Sequence, residues 1–434
     1  MGSGSSLEHH DLSHVGLRRA NNQDSRGVVE PGSREQYRRR GWLFVVADGM
    51  GAHAAGETAS ALAVQEVTAG YEKIAARSPP VALRASIVDA NAKIHMRGET
   101  SPDLKGMGTT CTALALLPRG ALVGHVGDSR AYRVRGGRIE QLSRDHSLVW
   151  ELEARAGGDE SVLHAQIPKN IITRSMGPHA AVDVDLEGPF PVEPGDVFVL
   201  CSDGLSGQVA DEEIGLLASG LQPQTATEAL VGVALVRGAP DNVTVIVARA
   251  GEQEKSRIAP RDVPWLLQDP ASDAPGRAGL PWQLLAVAAG SLLGALLSSP
   301  TSDVMKAVFG AEWAAAVGWP CVGLFSLAFI GSLLAAVLGF LMPAGGPREL
   351  QPGQTIGKGP YRSAECAPTA TLVEGLAASV EAAADGLDDA VREICVAPLS
   401  RARSAAAAGD FATALAALAA ALAAYKTFVD APRG

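Results

Sequence analysis

Two long apolar stretches late in the chain constrain its architecture more than any other feature. Residues 280–299 carry no charged side chain, and neither do residues 313–343. A helix needs about 20 apolar residues to cross the hydrocarbon core of a bilayer. Both stretches reach that length, so the sequence predicts a two-helix transmembrane hairpin over residues 280–343. The alternative is a buried helical hairpin of a soluble domain.

Basic residues flank the predicted hairpin on its outer sides. Arg277 precedes the first stretch, and Arg348 and Lys358 follow the second, whereas the connection at residues 300–312 holds only Lys306. Loops rich in Lys and Arg remain in the cytoplasm. The pattern therefore predicts a multi-pass protein of the inner (cytoplasmic) membrane with both flanking regions in the cytoplasm.

The composition excludes several classes of protein. Apolar residues make up 47% of the 434 residues, which is too many for a disordered chain. The formal net charge of −10 disfavours general nucleic-acid binding, and we expect no nucleic-acid partner. The cysteines are scattered and form no CxxC pair, which is typical of thiols in a reducing compartment rather than of disulfides or a zinc site.

Residues 1–252 have the alternating pattern of one α/β domain. Short apolar runs bounded by turn residues predict strands at residues 42–47, 109–117, 121–126, 131–134, 138–142, 197–201 and 243–249. Apolar residues at helical spacing predict helices at residues 57–76, 79–97 and 225–236.

The rest of the chain divides by composition. Residues 253–279 and 344–363 have the Pro- and Gly-rich composition of linkers on either side of the hairpin. Residues 364–434 form an Ala-rich helical tail with two apolar stripes that Pro398 separates. The stripes are compatible with a helical hairpin or with self-association as a coiled coil.

Aspartates stand at strand ends or in tight turns at five places, namely Asp24, Asp48, Asp128, Asp203 and Asp241. Any one of them could be an ordinary turn residue. Together they would collect carboxylates and backbone carbonyls at one sheet edge, as hard divalent cations require. Because no comparable set of His or Cys accompanies them, magnesium or manganese is favoured over zinc or copper.

Eight sequence blocks in a fixed order carry a family resemblance. They are SHVGLRRANNQDS, FVVADGMGAHAAGETAS, MGTTCTALAL, VGHVGDSRAYRV, LSRDHSL, IITRSMG, VFVLCSDGL and DNVTVIVAR. This set resembles the bacterial branch of the metal-dependent (PPM, type 2C) serine/threonine phosphatases over residues 11–250. The resemblance implies an α-β-β-α four-layer sandwich, with two central mixed sheets packed together and helices on both outer faces.

The resemblance also implies a metal centre that holds two Mn²⁺ or Mg²⁺ ions. Asp48 would bridge the two metals, and the Gly49 carbonyl would bind one of them. Asp203 and Asp241 would bind the other. Asp24 would act as a ligand directly or through water, and Gln23 stands beside it where some relatives carry a ligating glutamate.

Further roles follow from the same resemblance. Asp128 would help to hold a third, weaker metal. Arg19 would clamp the substrate phosphate with its two-pronged guanidinium, and Arg18 is the fallback if the register slips by one. His53 is a candidate proton donor to the leaving group or a helix-entry residue on the rim. We expect His146 to be a structural hydrogen bonder.

Two further segments are assigned by position. Residues 151–169 correspond to the family's flap, which borders the substrate groove. The Arg-rich residues 33–40 are interpreted as a solvated loop, with contact to phosphorylated or acidic partners as the alternative.

The sequence thus predicts a membrane-tethered phosphatase that hydrolyses phosphoserine and phosphothreonine monoesters with metal-activated water. Its expected partners are phosphorylated proteins, the substrates of a Ser/Thr kinase. One alternative is a catalytically silent sensor or membrane scaffold that binds phosphoproteins. Another keeps the chemistry but makes the substrate a small regulatory protein of a partner-switching circuit.

Overall fold

The computed structural model describes residues 7–51, 54–73, 77–156, 171–256, 265–267, 282–341, 349–351 and 353–431. Contacts divide the chain into two compact units. The first contains Met1–Trp265 and Leu350–Gly434, and the second contains Leu266–Glu349. The chain leaves the first unit and returns to it at one place, because the Leu350 N–H donates to the Trp265 carbonyl at 2.8 Å.

The first unit is built on two β-sheets. The strands are β1 (Glu8–His14), β2 (Asp24–Val29), β3 (Trp42–Met50), β4 (Gly108–Thr109), β5 (Cys111–Leu117), β6 (Gly120–Val126), β7 (Arg130–Arg135), β8 (Arg138–Gln141), β9 (Asp185–Phe190), β10 (Val197–Cys201), β11 (Val243–Arg249) and β12 (Arg362–Glu365). One sheet has the order β1-β11-β10-β7-β8-β12. The other has the order β2-β3-β5-β6-β9, with β4 paired to β3.

Alternating side chains place the apolar core on both sides of each sheet. In β10, Phe198 and Leu200 enter the core between the two sheets, where they meet Phe44 and Val46 of β3. Val199, which lies between them in sequence, faces the helices on the other side. This period of two is the reason that a strand buried on both faces is apolar throughout.

Helices cover the outer faces and complete the predicted four layers. The helices before the C-terminal region are α1 (Arg34–Arg40), α2 (Ala55–Lys73), α3 (Pro79–Thr100), α4 (Leu148–Ala156), α5 (Asp203–Ser206), α6 (Asp211–Gly220) and α7 (Pro223–Val236). α2 and α3 pack on the sheet that contains β3, and α6 and α7 pack on the sheet that contains β11. The α-β-β-α sandwich expected from the sequence is confirmed.

Some local predictions were wrong. The strand pairings among the described residues are all antiparallel, so neither sheet is mixed. The Arg-rich segment is helix α1 rather than a loop, because the Ser33 side chain caps it by accepting from the Gln36 N–H. Of the expected flap, residues 151–156 belong to α4, and residues 157–170 lie outside the described part of the chain.

Three helices follow β12: α11 (Ala370–Ala384), α12 (Asp389–Ala407) and α13 (Phe411–Asp430). Pro398 lies inside α12, so the prediction that it separates the two apolar stripes was wrong. The break lies further on, where the Asp410 side chain accepts from the Thr413 N–H and starts α13. Gly409, whose φ is +79°, follows the end of α12, and the Asp410 carboxylate begins α13, whereas Pro398 ends neither helix.

The helical tail packs against the rest of the first unit. Leu399 of α12 and Leu415, Leu418 and Leu422 of α13 share one buried core with Leu230 of α7. In addition, β12 begins inside the stretch that composition assigned as the second linker. Apart from Ile394, which is 64% exposed on α12, the apolar stripes are therefore covered by the chain's own helices.

The second unit contains α8 (Trp282–Leu297), α9 (Asp303–Phe309) and α10 (Ala314–Leu341). α8 packs on α10, and a Cβ at Gly294 would lie 2.8 Å from the Phe325 ring. Within α10, residues Ala316–Ala335 are long and apolar enough to cross a membrane and are only 6% buried. α13 passes the same length and composition test, but 44% of it is buried in the first unit.

The docked tail predicts a specific loss of stability. Replacing the fully buried Leu418 by alanine should lower the free energy of unfolding of the first unit by about 2–5 kcal/mol, because a cavity opens in its core. Phe428→Ala on the same helix is the control, and since Phe428 is 38% exposed it should cost about 1 kcal/mol or less. Denaturant unfolding of the detergent-solubilised chain measures both, and equal losses would contradict the docking.

Candidate active site

The five predicted aspartates meet at one end of the sandwich. Asp24 and Asp48 face each other in the β2–β3 ladder. Asp128 follows β6, Asp203 begins α5 directly after β10, and Asp241 precedes β11. The two sheets thus contribute carboxylates from opposite sides of their shared interface. The structure brings all five together, and their ligand roles stay predictions.

Backbone geometry at the end of β3 explains why glycine follows Asp48. The Gly49 N–H donates to the Gln23 carbonyl at 3.1 Å. A Cβ at Gly49 would lie 2.1 Å from the Gly56 carbonyl oxygen, so no other residue fits there without moving α2. The Asp48 N–H is held by the Thr110 hydroxyl at 2.9 Å. These contacts fix the backbone on both sides of the Asp48 side chain.

Polar side chains that the sequence interpretation missed connect the two sheets at this end. The Ser202 hydroxyl donates to Asp24 Oδ2 at 2.8 Å. Asn242 Oδ1 accepts from the Gln23 N–H at 2.8 Å, and its amide donates to the Val15 carbonyl at 2.9 Å. Ser202 and Asn242 are the sequence neighbours of Asp203 and Asp241. That position next to predicted ligands is the sequence feature from which their role could have been inferred.

Burial and mutual repulsion disfavour full ionisation of the cluster. Burial, with the nearby charges of Asp203 and Asp241, raises the pKa of Asp24 to about 7. Burial, with Asp203 and Asp145, raises the pKa of Asp128 to about 8. Burial is also the main cause that raises the pKa of Asp48 well above its ordinary value, and the charges of the other carboxylates add to it. A nearby positive charge would relieve this cost.

The donor set fits a hard divalent cation. One buried carboxylate oxygen each of Asp24, Asp128 and Asp203 has no hydrogen-bond partner among the described residues. Oxygen ligands of this kind suit magnesium and manganese. In the described part of the chain, however, no three or more His, Cys, Asp or Glu side chains are placed so that they could hold a metal ion together. Two of the carboxylates already have other partners, since Arg19 donates to Asp241 Oδ2 and the Ser202 hydroxyl donates to Asp24 Oδ2.

Arg19 stands beside the cluster in an open cleft. Its Nη2 donates to Asp241 Oδ2 at 2.7 Å. The cleft has a volume of about 540 Å³, and Arg19, Asp128, Asp203 and Asp241 are among its lining residues. Arg18, which is exposed like Arg19, is not among those lining residues. Of the two candidate arginines, Arg19 is therefore the one in position to meet a phosphate in the cleft.

A second arginine in the cleft is held in place by a buried carboxylate. Arg130 donates to Asp145 through Nε at 2.9 Å and through Nη2 at 2.7 Å. Its Nη1 donates to the Tyr132 hydroxyl at 3.0 Å. Both Arg130 and Asp145 line the cleft. The sequence interpretation quoted their motifs but gave these two side chains no role.

His146 acts as the structural hydrogen bonder that the sequence predicts. Its Nδ1 accepts from the Gly127 N–H at 3.0 Å, so Nε2 carries the proton and donates to Asp185 Oδ2 at 3.0 Å. This pair holds the turn immediately before Asp128. His53, the candidate proton donor, lies outside the described residues.

Comparisons with known proteins agree with this geometry. The family model described as Protein phosphatase 2C matches residues 18–231. The serine/threonine phosphatase stp of Listeria welshimeri is 32% identical over 248 residues, which cover 56% of this chain and 95% of that protein. The serine/threonine protein phosphatase PstP of Mycobacterium tuberculosis is 36% identical over 253 residues, which cover 56% of this chain.

The extent of these matches differs between relatives. The chain spans 45% of the length of the M. tuberculosis PstP. The crystal structure of the M. tuberculosis phosphatase PstP/Ppp superposes with a TM-score of 0.50 at 34% identity, covering 57% of this chain and 99% of that one. Nearly the whole of the Listeria protein and of the crystallised phosphatase is thus matched in sequence and fold, and the chain belongs to the protein phosphatase 2C family.

Proposed function

We propose that the chain is a metal-dependent protein phosphatase that hydrolyses phosphoserine and phosphothreonine monoesters. The observation that carries the proposal is a cleft lined by Arg19, Asp128, Asp203 and Asp241, beside which Asp24 and Asp48 lie close enough to interact with Asp203. The similar proteins are named as serine/threonine phosphatases. Phosphorylated proteins, the products of a Ser/Thr kinase, are the proposed substrates.

The protein phosphatase 2C family uses divalent metals. For this chain we propose Mn²⁺ or Mg²⁺, with Asp48, the Gly49 carbonyl, Asp203, Asp241 and Asp24 at a two-metal core, and Asp128 at a third, weaker site. Divalent ions held there would neutralise the phosphoryl oxygens and lower the pKa of a water molecule for attack on phosphorus. The raised pKa values of Asp24 and Asp128 support cation binding, because each is a buried acid whose charged form the nearby Asp203 disfavours further, and a cation would compensate that charge.

The chain's own residues supply the binding and orientation. Arg19 presents several N–H donors, and a phosphate that replaces Asp241 as its partner would be held by charge-assisted hydrogen bonds. Asn242 and Ser202 keep the two loops at a fixed separation, so the groups around the phosphate do not need to reorganise during the reaction.

The alternative, a silent phosphoprotein-binding sensor, explains less. A domain that only binds an anion has no use for a buried cluster of acids beside its phosphate-binding arginine. This chain has an aspartate at every position where an acidic ligand is predicted. Burying these carboxylates is unfavourable, and the clearest sign is the pKa of Asp48, which burial raises well above its ordinary value. We therefore favour the enzyme.

The second unit supports a membrane tether as part of the proposal. Large apolar side chains on α10, such as Leu324 and Leu327, are 68% and 71% exposed. Such a surface requires lipid or a protein partner. We propose that α8 and α10 form a hairpin in the inner membrane, with the phosphatase domain and the tail in the cytoplasm.

The first prediction concerns the acidic cluster. In the full-length chain, Asp48→Asn and Asp203→Asn should each lower kcat/KM for p-nitrophenyl phosphate with manganese by at least about 100-fold, since altering even a residue that only orients a ligand costs 10- to 100-fold. Asp89→Asn, at an exposed position on α3, is the control and should retain activity. Full turnover by the Asp48 variant would contradict the role given to Asp48, and absence of manganese-dependent turnover in the unaltered chain would favour the silent sensor.

A second prediction separates the two arginines. Arg19→Ala should lower kcat/KM for a phosphothreonine peptide by about 10- to 100-fold, the range expected when a charge-assisted hydrogen bond is lost. Arg18→Ala, one residue away, should change it less than about twofold because Arg18 is not among the residues that line the cleft. Steady-state kinetics measures both, and the reverse order would move the phosphate clamp to Arg18.

A third prediction tests the topology. Four of the five native cysteines are buried and should not react with a maleimide. In a Cys321→Ala variant, labelling therefore reports only cysteines that are introduced. Glu312→Cys in the α9–α10 connection should react with a membrane-impermeant maleimide in intact cells. Ser400→Cys, at an exposed position on α12, should react only after the membrane is opened. Labelling of both in intact cells, or of neither, would contradict the proposed orientation.

A further inference from the structure

One wall of the cleft comes from the part of the chain that follows the apolar hairpin. Arg362 of β12 lines the cleft together with Trp150 and Glu153 of α4. Its guanidinium carbon lies 4.3 Å from the centre of the Trp150 ring. Its Nη2 donates to Glu153 Oε2 at 2.6 Å. Arg362 therefore holds α4 by a cation–π contact and an ion pair at once.

Strand β12 also connects this contact to the side of the cleft that carries the predicted metal ligands. Arg362 is in register with Gln141 of β8. The Gln141 amide donates to Asp145 Oδ1 at 2.7 Å, and Asp145 holds Arg130. The segment that carries Arg362 is thus part of the same hydrogen-bonded framework as Asp145 and Arg130, which line the cleft.

The loop before β12 is anchored on a buried carboxylate. The Lys358 and Gly359 N–H groups donate to Glu187 Oε2 at 2.8 and 2.9 Å, and the Tyr361 hydroxyl donates to its other oxygen at 2.5 Å. Glu187 is only 3% exposed. A Cβ at Gly357, where φ is +76°, would lie 1.9 Å from that carboxylate, so glycine is required. This anchor fixes where Arg362 enters the cleft.

We infer that Arg362 is a positioning residue for protein substrates, acting through α4. This inference rests on the proposed phosphatase function. The phosphate group lies beside Arg19 and the aspartates, whereas α4 borders the cleft where the peptide around the phosphorylated residue must lie. Recognition of that peptide therefore depends on residues encoded after the hairpin, although the catalytic groups are encoded before it.

The test compares two substrates in the full-length detergent-solubilised chain. Arg362→Met keeps the apolar stem and removes the charge. It should raise KM for a phosphothreonine peptide by about 10-fold, the scale of one charge-assisted hydrogen bond. Its kcat/KM for p-nitrophenyl phosphate should change less than about twofold, because that small ester has no peptide to place against α4.

Two further variants make the test specific. Glu153→Gln breaks the same ion pair from the α4 side and should reproduce the KM effect, and the double variant should be no worse than either single one. Arg138→Met, on the paired strand β8, is the control. Arg138 is exposed and donates to the Ser363 hydroxyl at 2.6 Å, so its loss should leave both substrates unaffected.

Three outcomes would overturn the inference. They are an unchanged peptide KM in Arg362→Met, additive losses in the double variant, or equal losses on both substrates in Glu153→Gln. Each is distinguishable from failure of the proposed function, which would appear as absence of manganese-dependent p-nitrophenyl phosphate turnover in the unaltered chain.

Discussion

The close approach of acidic side chains between the ends of two sheets is the constraint on which the rest of the site depends. Burial raises the pKa values of Asp24 and Asp128 to about 7 and about 8, so without a compensating charge the cluster is not fully ionised near neutral pH. The surrounding framework, with Ser202 and Asn242 bridging the loops, holds the carboxylates together in spite of their repulsion. Holding buried acids together lowers the stability of the folded chain but favours cation binding, and such a compromise is common at functional sites.

The C-terminal region extends the same framework from the other side. Leu415 and Leu418 bury one face of α13 against the phosphatase helices. The loop before β12 is attached to Glu187, and Arg362 reaches the cleft. The apolar hairpin is therefore an insertion in one folded unit rather than a separator between a catalytic domain and an independent tail. A fragment ending near residue 251 would expose the apolar surface that this region covers, so the full chain is the appropriate material for kinetics.

Much of the site could be predicted from sequence because strand-end aspartates follow short, strongly apolar strands. The continuous apolar run of β10 and the motif at Asp203 are local features that need no tertiary information. Strands β1 and β2 were missed because their side chains are largely polar, and only pairing with neighbours makes them strands. Arg362 could not have been assigned to the site, since the contact between β12 and β8 joins residues more than 200 positions apart. The prediction of a break at Pro398 failed for a related reason. The packing of α12 stabilises the helix by more than a proline in its interior destabilises it.

The central claim is that the acidic cluster is a metal centre that performs phosphoester hydrolysis. Its most direct test titrates the metal-free, full-length chain with Mn²⁺ and measures, in the same samples, the bound metal per chain and the turnover of a phosphothreonine peptide. The account predicts that turnover is absent without metal and rises with occupancy until two ions are bound. Turnover without bound metal, or saturable binding of two ions without turnover, would contradict it.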